Sequence, residues 1–169
     1  MGLSYRLKQV AELVTEGYVT ADIGTDHGYV PVYLLRNGKI PKAIAVDLSK
    51  GSLQKAKENA ARAGLTDKID LRLSDGLKSV EPGEAQCIII CGMGGILMRR
   101  ILDEGIETVL KASELILSPH RNPELIYEFI ENNGFYPAAD LEIEDKKKKY
   151  RIIKAVNSRL QLDNNNCII

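Results

Sequence analysis

Residues 21–31, ADIGTDHGYVP, constrain the fold of this chain more than any other stretch. An apolar run that closes on Asp22 and Gly24, a short glycine-containing loop, and an apolar segment starting at Tyr29 read as strand, turn and helix. That is the opening unit of a parallel α/β sheet. Gly24 and Gly28 keep the backbone path of a nucleotide-binding loop, but Asp26 and His27 stand where such loops usually present bare backbone.

The alternation continues along the chain. KAIAVD (42–47), IDLRL (69–73), CIIIC (87–91) and ELIL (114–117) are short apolar runs rich in β-branched residues. Helical periods separate them, over 29–36, over 49–63 with Ser49 or Ser52 as cap, from GMGG to Leu102, and over 123–133. Leu3, Leu7, Val10, Leu13 and Val14 place an amphipathic helix ahead of the first strand. FYPAADLEIE (135–144) and YRIIKAVN (150–157) are joined only by DKKKK, too short for a parallel crossover of about a dozen residues. They predict a hairpin. The expected fold is Rossmann-like α/β: a mostly parallel twisted sheet between two helical layers, ending in an antiparallel hairpin. The closing LQLDNNNCII shows no period and reads as a frayed end.

Composition limits the function classes. A chain of 169 residues, 44% hydrophobic and 27% charged, suffices for one domain with its own core. Lysine plus arginine (23) balances aspartate plus glutamate (23), and the pI of about 6.7 lies far from the value above ~9 of a dedicated nucleic-acid-binding domain. Any contact with nucleic acid must come from a local patch. No leader and no apolar stretch of ~18 residues is visible, so a soluble cytoplasmic protein is expected. Cys87, Cys91 and Cys167 lack a paired metal spacing and are expected as reduced thiols; with His27 and His120 the only histidines, no metal site is expected. The oligomeric state stays open between monomer and weak dimer.

Ligands of open α/β sheets sit beyond the carboxyl ends of the strands, where strand order reverses. Those ends carry Asp22, Gly24, Asp26, His27 and Gly28, then Asp47, then Asp75 and Gly76, then Gly92, Met93 and Gly94. Asp47 falls 23 residues after Gly24, close to the roughly 20-residue interval at which an acidic residue accepts hydrogen bonds from a ribose diol. A ribose-containing cofactor follows. A nicotinamide dinucleotide would bring a pyrophosphate against Asp26, a repulsion of about 4 kcal/mol at about 4 Å and a dielectric of ~20. S-adenosylmethionine brings a sulfonium and an ammonium instead, and the same electrostatics favour it. A nicotinamide-dependent oxidoreductase is the reading that Asp26 and the final hairpin count against.

The segments SYRLKQVAELV, ADIGTDHGYVP, AIAVD, RLSDGL, IIICGMGG, LILSP, ENNGF and KYRII together resemble the bacterial tRNA (adenine-N1)-methyltransferase family that modifies adenine 22. The similarity runs over about residues 4–157, and ADIGTDHGYVP with CGMGG is its most specific part. The family pattern often has serine at the position of Thr25, alanine at Gly28 and glutamate at Asp47. The resemblance implies a class I methyltransferase domain, S-adenosyl-L-methionine as cofactor and tRNA as substrate. Residues 1–157 are then the catalytic domain with its amino-terminal helix, and residues 158–169 a tail, without the helical carboxyl-terminal domain of many members. The alternatives are a methyltransferase for another substrate and a cofactor-binding module without activity of its own.

The expected cofactor residues are Asp22, Gly24, Asp26, Gly28, Asp47, Asp75, Gly76, Gly92 and Gly94. Asp26, His27, Tyr29 and Met93 are the candidates for the reacting centre, with helix capping as the plain role of Asp26 and loop packing that of His27. Arg6, Arg99 and Arg100 are the candidates for tRNA phosphates, while Lys146 to Lys149 read as a solvated turn with phosphate binding as the sharper option.

Overall fold

A computed structural model describes residues 2–160. The elements follow in the order α1 (Tyr5–Leu13), β1 (Thr20–Ile23), α2 (Tyr29–Arg36), β2 (Ala43–Asp47), α3 (Lys50–Arg62), β3 (Ile69–Leu73), β4 (Cys87–Met93), α4 (Gly95–Glu104), α5 (Ile106–Lys111), β5 (Glu114–Pro119), α6 (Glu124–Asn132), β6 (Phe135–Asp145) and β7 (Lys148–Asn157). The strands form one sheet in the order β3-β2-β1-β4-β5-β7-β6. β1 to β5 are parallel, and β7 inserts antiparallel between β5 and β6. Strand order reverses between β1 and β4, and the carboxyl edge at that point is where open α/β sheets take their ligands.

The period-two alternation of the strands splits the core between the two faces of the sheet. Ile88 and Ile90 point to the side covered by α4, α5 and α6, where they meet Met98, Leu102, Ile126 and Phe129. Cys87 and Ile89 point to the other side, against Val10, Leu34 and Ala60 of α1, α2 and α3. Both faces are covered, so β4 reads as a continuous apolar run, with Cys87 to Ile90 all at 0% exposure.

Local chemistry sets the helix ends. The Ser4 hydroxyl accepts from the Leu7 amide at 3.3 Å and starts α1; Ser49, rather than Ser52, does the same for α3 through the Ser52 amide at 3.2 Å. The stretch after Leu102 is divided at Gly105, where a Cβ would lie 2.6 Å from the Leu77 side chain. The hairpin is tighter than DKKKK suggests. Lys146 and Lys147 alone make the turn, both at positive φ (51° and 63°), while Lys148 and Lys149 already pair with Asp145 and Glu144. A two-residue turn of this hand matches the twist of the strands it joins. At its other end the hairpin is tied down, because Ser158 donates its amide to the Gly134 carbonyl at 3.0 Å. The stretch expected to fray lies outside the described residues, apart from Leu160.

Candidate active site at the carboxyl edge of the sheet

The loop after β1 is shaped by three left-handed residues, Gly24 (φ 71°), Asp26 (φ 53°) and Gly28 (φ 69°). Its first turn stays attached to the sheet, since the amides of Gly24 and Thr25 both donate to the Val46 carbonyl, at 2.9 and 3.0 Å. Glycine is required at Gly24 for its φ, and at Gly28 for space as well. A Cβ on Gly24 would run into the Met93 methyl group, and one on Gly28 would lie 2.9 Å from the Cβ of Ala56 on α3. Asp26 does not cap α2: Gly28 holds the cap position, with no side-chain bond.

Three carboxylates converge on this loop. Asp22 is 5% exposed and accepts from the Thr25 hydroxyl at 2.7 Å. Its pKa is pushed up to about 6, chiefly by burial and further by Asp47 and Asp26, while the Thr25 bond opposes the shift. Asp47 accepts from the Asp26 amide (2.9 Å) on one oxygen and from the Ser49 amide (2.8 Å) on the other. Each oxygen therefore keeps a lone pair. Asp26 is exposed and approaches His27 Nε2 at 3.3 Å. His27 Nδ1 lies 3.1 Å from the Tyr29 hydroxyl, and the His27 carbonyl accepts from Asn59 on α3 at 2.8 Å. A ring protonated at Nε2 donates to Asp26 and accepts from Tyr29. Behind the loop, a cavity of about 310 Å³ is lined by Tyr29, Tyr33, Arg36, Asn59 and Arg62.

The next strand ends complete the rim. Asp75 pairs with Lys78 (3.0 Å) and Arg100 (3.6 Å), and its carboxyl is held below the usual range, first by the Lys78 bond. Gly76, at φ 59°, lies against Ile101. At the end of β4 the register with β5 slips between Cys91 and Met93, and Gly92 (φ 79°) and Gly94 have open space where a side chain would project. Met93 thus reaches back to Gly24 across the reversal point. Burial drives the Cys91 thiol well above its ordinary pKa, as it does that of Cys87, and both are free cysteines. Among the described residues, no group of three His, Cys, Asp or Glu side chains is placed to hold a metal ion, and no helix is long and apolar enough to cross a membrane.

The arginines divide. Arg99 pairs with Asp103 (2.8 Å) and lies over the Phe129 ring, and Arg100 pairs with Asp75 and Glu104. Both are engaged within the protein. Arg6 is placed differently: its amide donates to Asp145 at 3.2 Å, its guanidinium lies 4.9 Å from the Tyr150 ring centre, and its buried Nη1 has no hydrogen-bond partner. Tyr150 in turn meets His120 edge to face, with ring centres 5.6 Å apart. Sequence reading missed His120 and Tyr150 as site residues. Extending the strand-end rule to the fifth strand would have found His120, which directly follows Pro119. The edge is polarised as a result: Asp22, Asp26 and Asp47 stand at β1 and β2, and Arg6 stands on the side of β5 and β7.

A family model described as methyltransferase domain matches residues 3–153. The chain belongs to the methyltransferase-domain family. Within that family it is 37% identical over 153 residues to the tRNA (adenine(22)-N(1))-methyltransferase of Bacillus subtilis (strain 168), an alignment covering 90% of this chain and 64% of that protein. The chain thus spans just under two thirds of that curated relative's length. The crystal structure of the B. subtilis M1A22 tRNA methyltransferase TrmK superposes with a TM-score of 0.88 at 36% identity, covering 93% of this chain and 67% of that one. Streptococcus pneumoniae Sp1610, solved in complex with S-adenosyl-L-methionine, superposes with a TM-score of 0.89 at 35% identity over 92% of this chain and 73% of that one. The tRNA adenine-22 resemblance read from the sequence is the one these relatives carry, and the Rossmann-like methyltransferase fold is the one observed.

Proposed function

We propose that this protein transfers a methyl group from S-adenosyl-L-methionine to N1 of an adenine in tRNA, at position 22. The observation that carries the reading is the gathering of Asp22, Asp26 and Asp47 around a glycine loop with open backbone. Such a site suits a cation with a ribose and disfavours a pyrophosphate. The names of the relatives support both cofactor and substrate.

The residues fit the cofactor. Asp47 would offer its remaining lone pairs to the ribose hydroxyls, and Asp75 and Gly76 would hold the base. Gly24, Gly28, Gly92 and Gly94 would let the backbone approach, and Asp26 with Asp22 would supply negative charge for the amino-acid end and the sulfonium. When bound, the cofactor supplies an electrophilic methyl group. The chain's own part is alignment: Met93, wedged against Gly24, floors the space that the adenine must enter, and holding the N1 lone pair in line provides most of the assistance. Because N1 lies on the Watson–Crick edge, the base must first leave its stack. Asp26, steadied by His27 and Tyr29, accepts from the exocyclic amine and balances the charge of the methylated ring. Arg6 receives RNA phosphate; Arg99 and Arg100 contribute only if their present partners yield. We assign residues 1–157 as the catalytic unit, working in the cytoplasm.

Incubation with labelled cofactor and unmodified tRNA, followed by nucleoside analysis and mapping, tests the proposal. Label in 1-methyladenosine at position 22 is the expected result. Transfer to a protein or metabolite with none to tRNA would overturn it.

A further inference from the structure

The proposed site gives the adenine a floor, Met93, and an acceptor, Asp26, but no aromatic surface against which the ring can stack once it leaves the RNA. The arrangement at the ends of β5 and β7 supplies one. The last ladder pair between these strands is Leu117 with Ile153. Three residues further along each strand, in the direction of the carboxyl edge, stand His120 and Tyr150. The antiparallel register therefore sets them opposite each other beyond the end of the ladder, which is why their rings meet at 5.6 Å. His120 is exposed, and its amide donates to the Met93 carbonyl at 2.9 Å, so the ring pair borders the residue that floors the site. Arg6 covers the Tyr150 face from α1 and keeps one buried guanidinium nitrogen without an acceptor. Asp145, at the hairpin turn, anchors the backbone of Arg6 and holds these groups together.

We propose that His120 and Tyr150 form the stacking platform for the extruded target adenine, with Arg6 as the bracket that receives a phosphate of the same strand. The inference rests on the tRNA reading above and names the residues that position its substrate. Partial desolvation of the ring, reinforced by the charges of Arg6 and Lys148, holds the His120 imidazole below its ordinary pKa, a shift toward the uncharged form. Polarity across the edge agrees. The cationic cofactor faces the carboxylates, and the anionic strand faces Arg6 and the exposed Lys148.

The test compares His120→Ala and Tyr150→Ala with His120→Phe and Tyr150→Phe. For each, kcat/KM for an unmodified tRNA transcript is measured alongside the Kd for S-adenosylhomocysteine. Loss of a base-stacking contact of about 1–3 kcal/mol converts to a fall of about 5- to 150-fold. Both alanine variants should show it at wild-type S-adenosylhomocysteine affinity, which also reports that they are folded, and the phenylalanine variants should recover most of it. Arg6→Gln should flatten the log-log salt dependence of tRNA binding by about one unit. Alanine variants with wild-type kcat/KM, or phenylalanine variants as impaired as alanine ones, overturn the platform while leaving tRNA methylation standing. A wild-type protein that methylates no tRNA overturns both.

Discussion

Replacing Asp22 with Asn should stabilise the ligand-free protein at neutral pH, although it removes a carboxylate from the centre of the proposed cofactor site. Asp22 is 5% exposed, and its carboxyl is pushed from 3.8 to about 6 by burial first, then by the nearby Asp47 and Asp26. Between these two values the folded chain holds a proton that the unfolded chain has released. The stability from that proton is complete below about pH 3.8 and is lost as pH rises through about 6. A shift of about two units corresponds to about 3 kcal/mol. Asparagine has no charge to desolvate, and its amide oxygen can still accept the Thr25 hydroxyl. Urea denaturation of both proteins from about pH 4 to about pH 8 is the assay. The advantage of the variant should widen by ~1.4 kcal/mol per pH unit between about pH 4 and 6, then level off. S-adenosylmethionine affinity should fall in the same variant. Curves that run parallel across the range, or a gap that closes as pH rises, would refute the account of Asp22 as a charge held at the expense of stability.

Other substitutions probe separate parts of the structure. Asp26→Asn should weaken S-adenosylmethionine binding by about 3- to 10-fold and S-adenosylhomocysteine, which keeps the ammonium but lacks the sulfonium charge, by less; equal losses in calorimetric titrations of the two would remove sulfonium reading from Asp26. Gly24→Ala forces a side chain into φ 71° and against the Met93 methyl. A loss of about 1–2 kcal/mol from backbone strain alone should lower Tm by about 2–8 °C, and adding Met93→Ala should relieve only the steric share. Glu114, 2% exposed, accepts from the Thr15 amide (2.8 Å), the Thr15 hydroxyl (2.6 Å) and Lys154 (2.9 Å), and so ties the end of α1 to β5 and β7. Glu114→Ala, which leaves the Lys154 ammonium bonded to the Leu13 carbonyl and Thr15 hydroxyl but without a counter-charge, should cost about 3–5 kcal/mol in urea denaturation, and Glu114→Gln combined with Lys154→Met should cost less. A double variant as unstable as the single one would refute the role of the stranded charge.

Much of this protein was legible in its linear order because the informative patterns are local. Apolar runs of strand length alternate with helical periods, which is enough to place Asp22, Gly24, Asp26 and Gly28 at a strand end. DKKKK is too short to be anything but a hairpin link. The left-handed turns at Gly24 and Gly28, the carboxylates at the strand ends and the sheet with its antiparallel finish all follow from spacing within a few residues.

What the tertiary structure alone decided depends on distance along the chain. Arg6 and Asp145 are 139 residues apart, yet share a hydrogen bond, and no local period reports such a meeting. Arg99 and Arg100 look alike in sequence to any cation available for phosphate; the helix puts each within reach of acidic partners four residues on, and the fold adds Phe129 to one and Asp75 to the other. His120 and Tyr150 acquire their relation from strand register, which is set by which strand inserts beside β5. The sequence by itself thus determined the kind of sheet and the acidic side of its edge, because those follow from neighbours in the chain. The basic and aromatic side was decided by long-range packing, which brings α1, the end of β5 and the hairpin turn to one place.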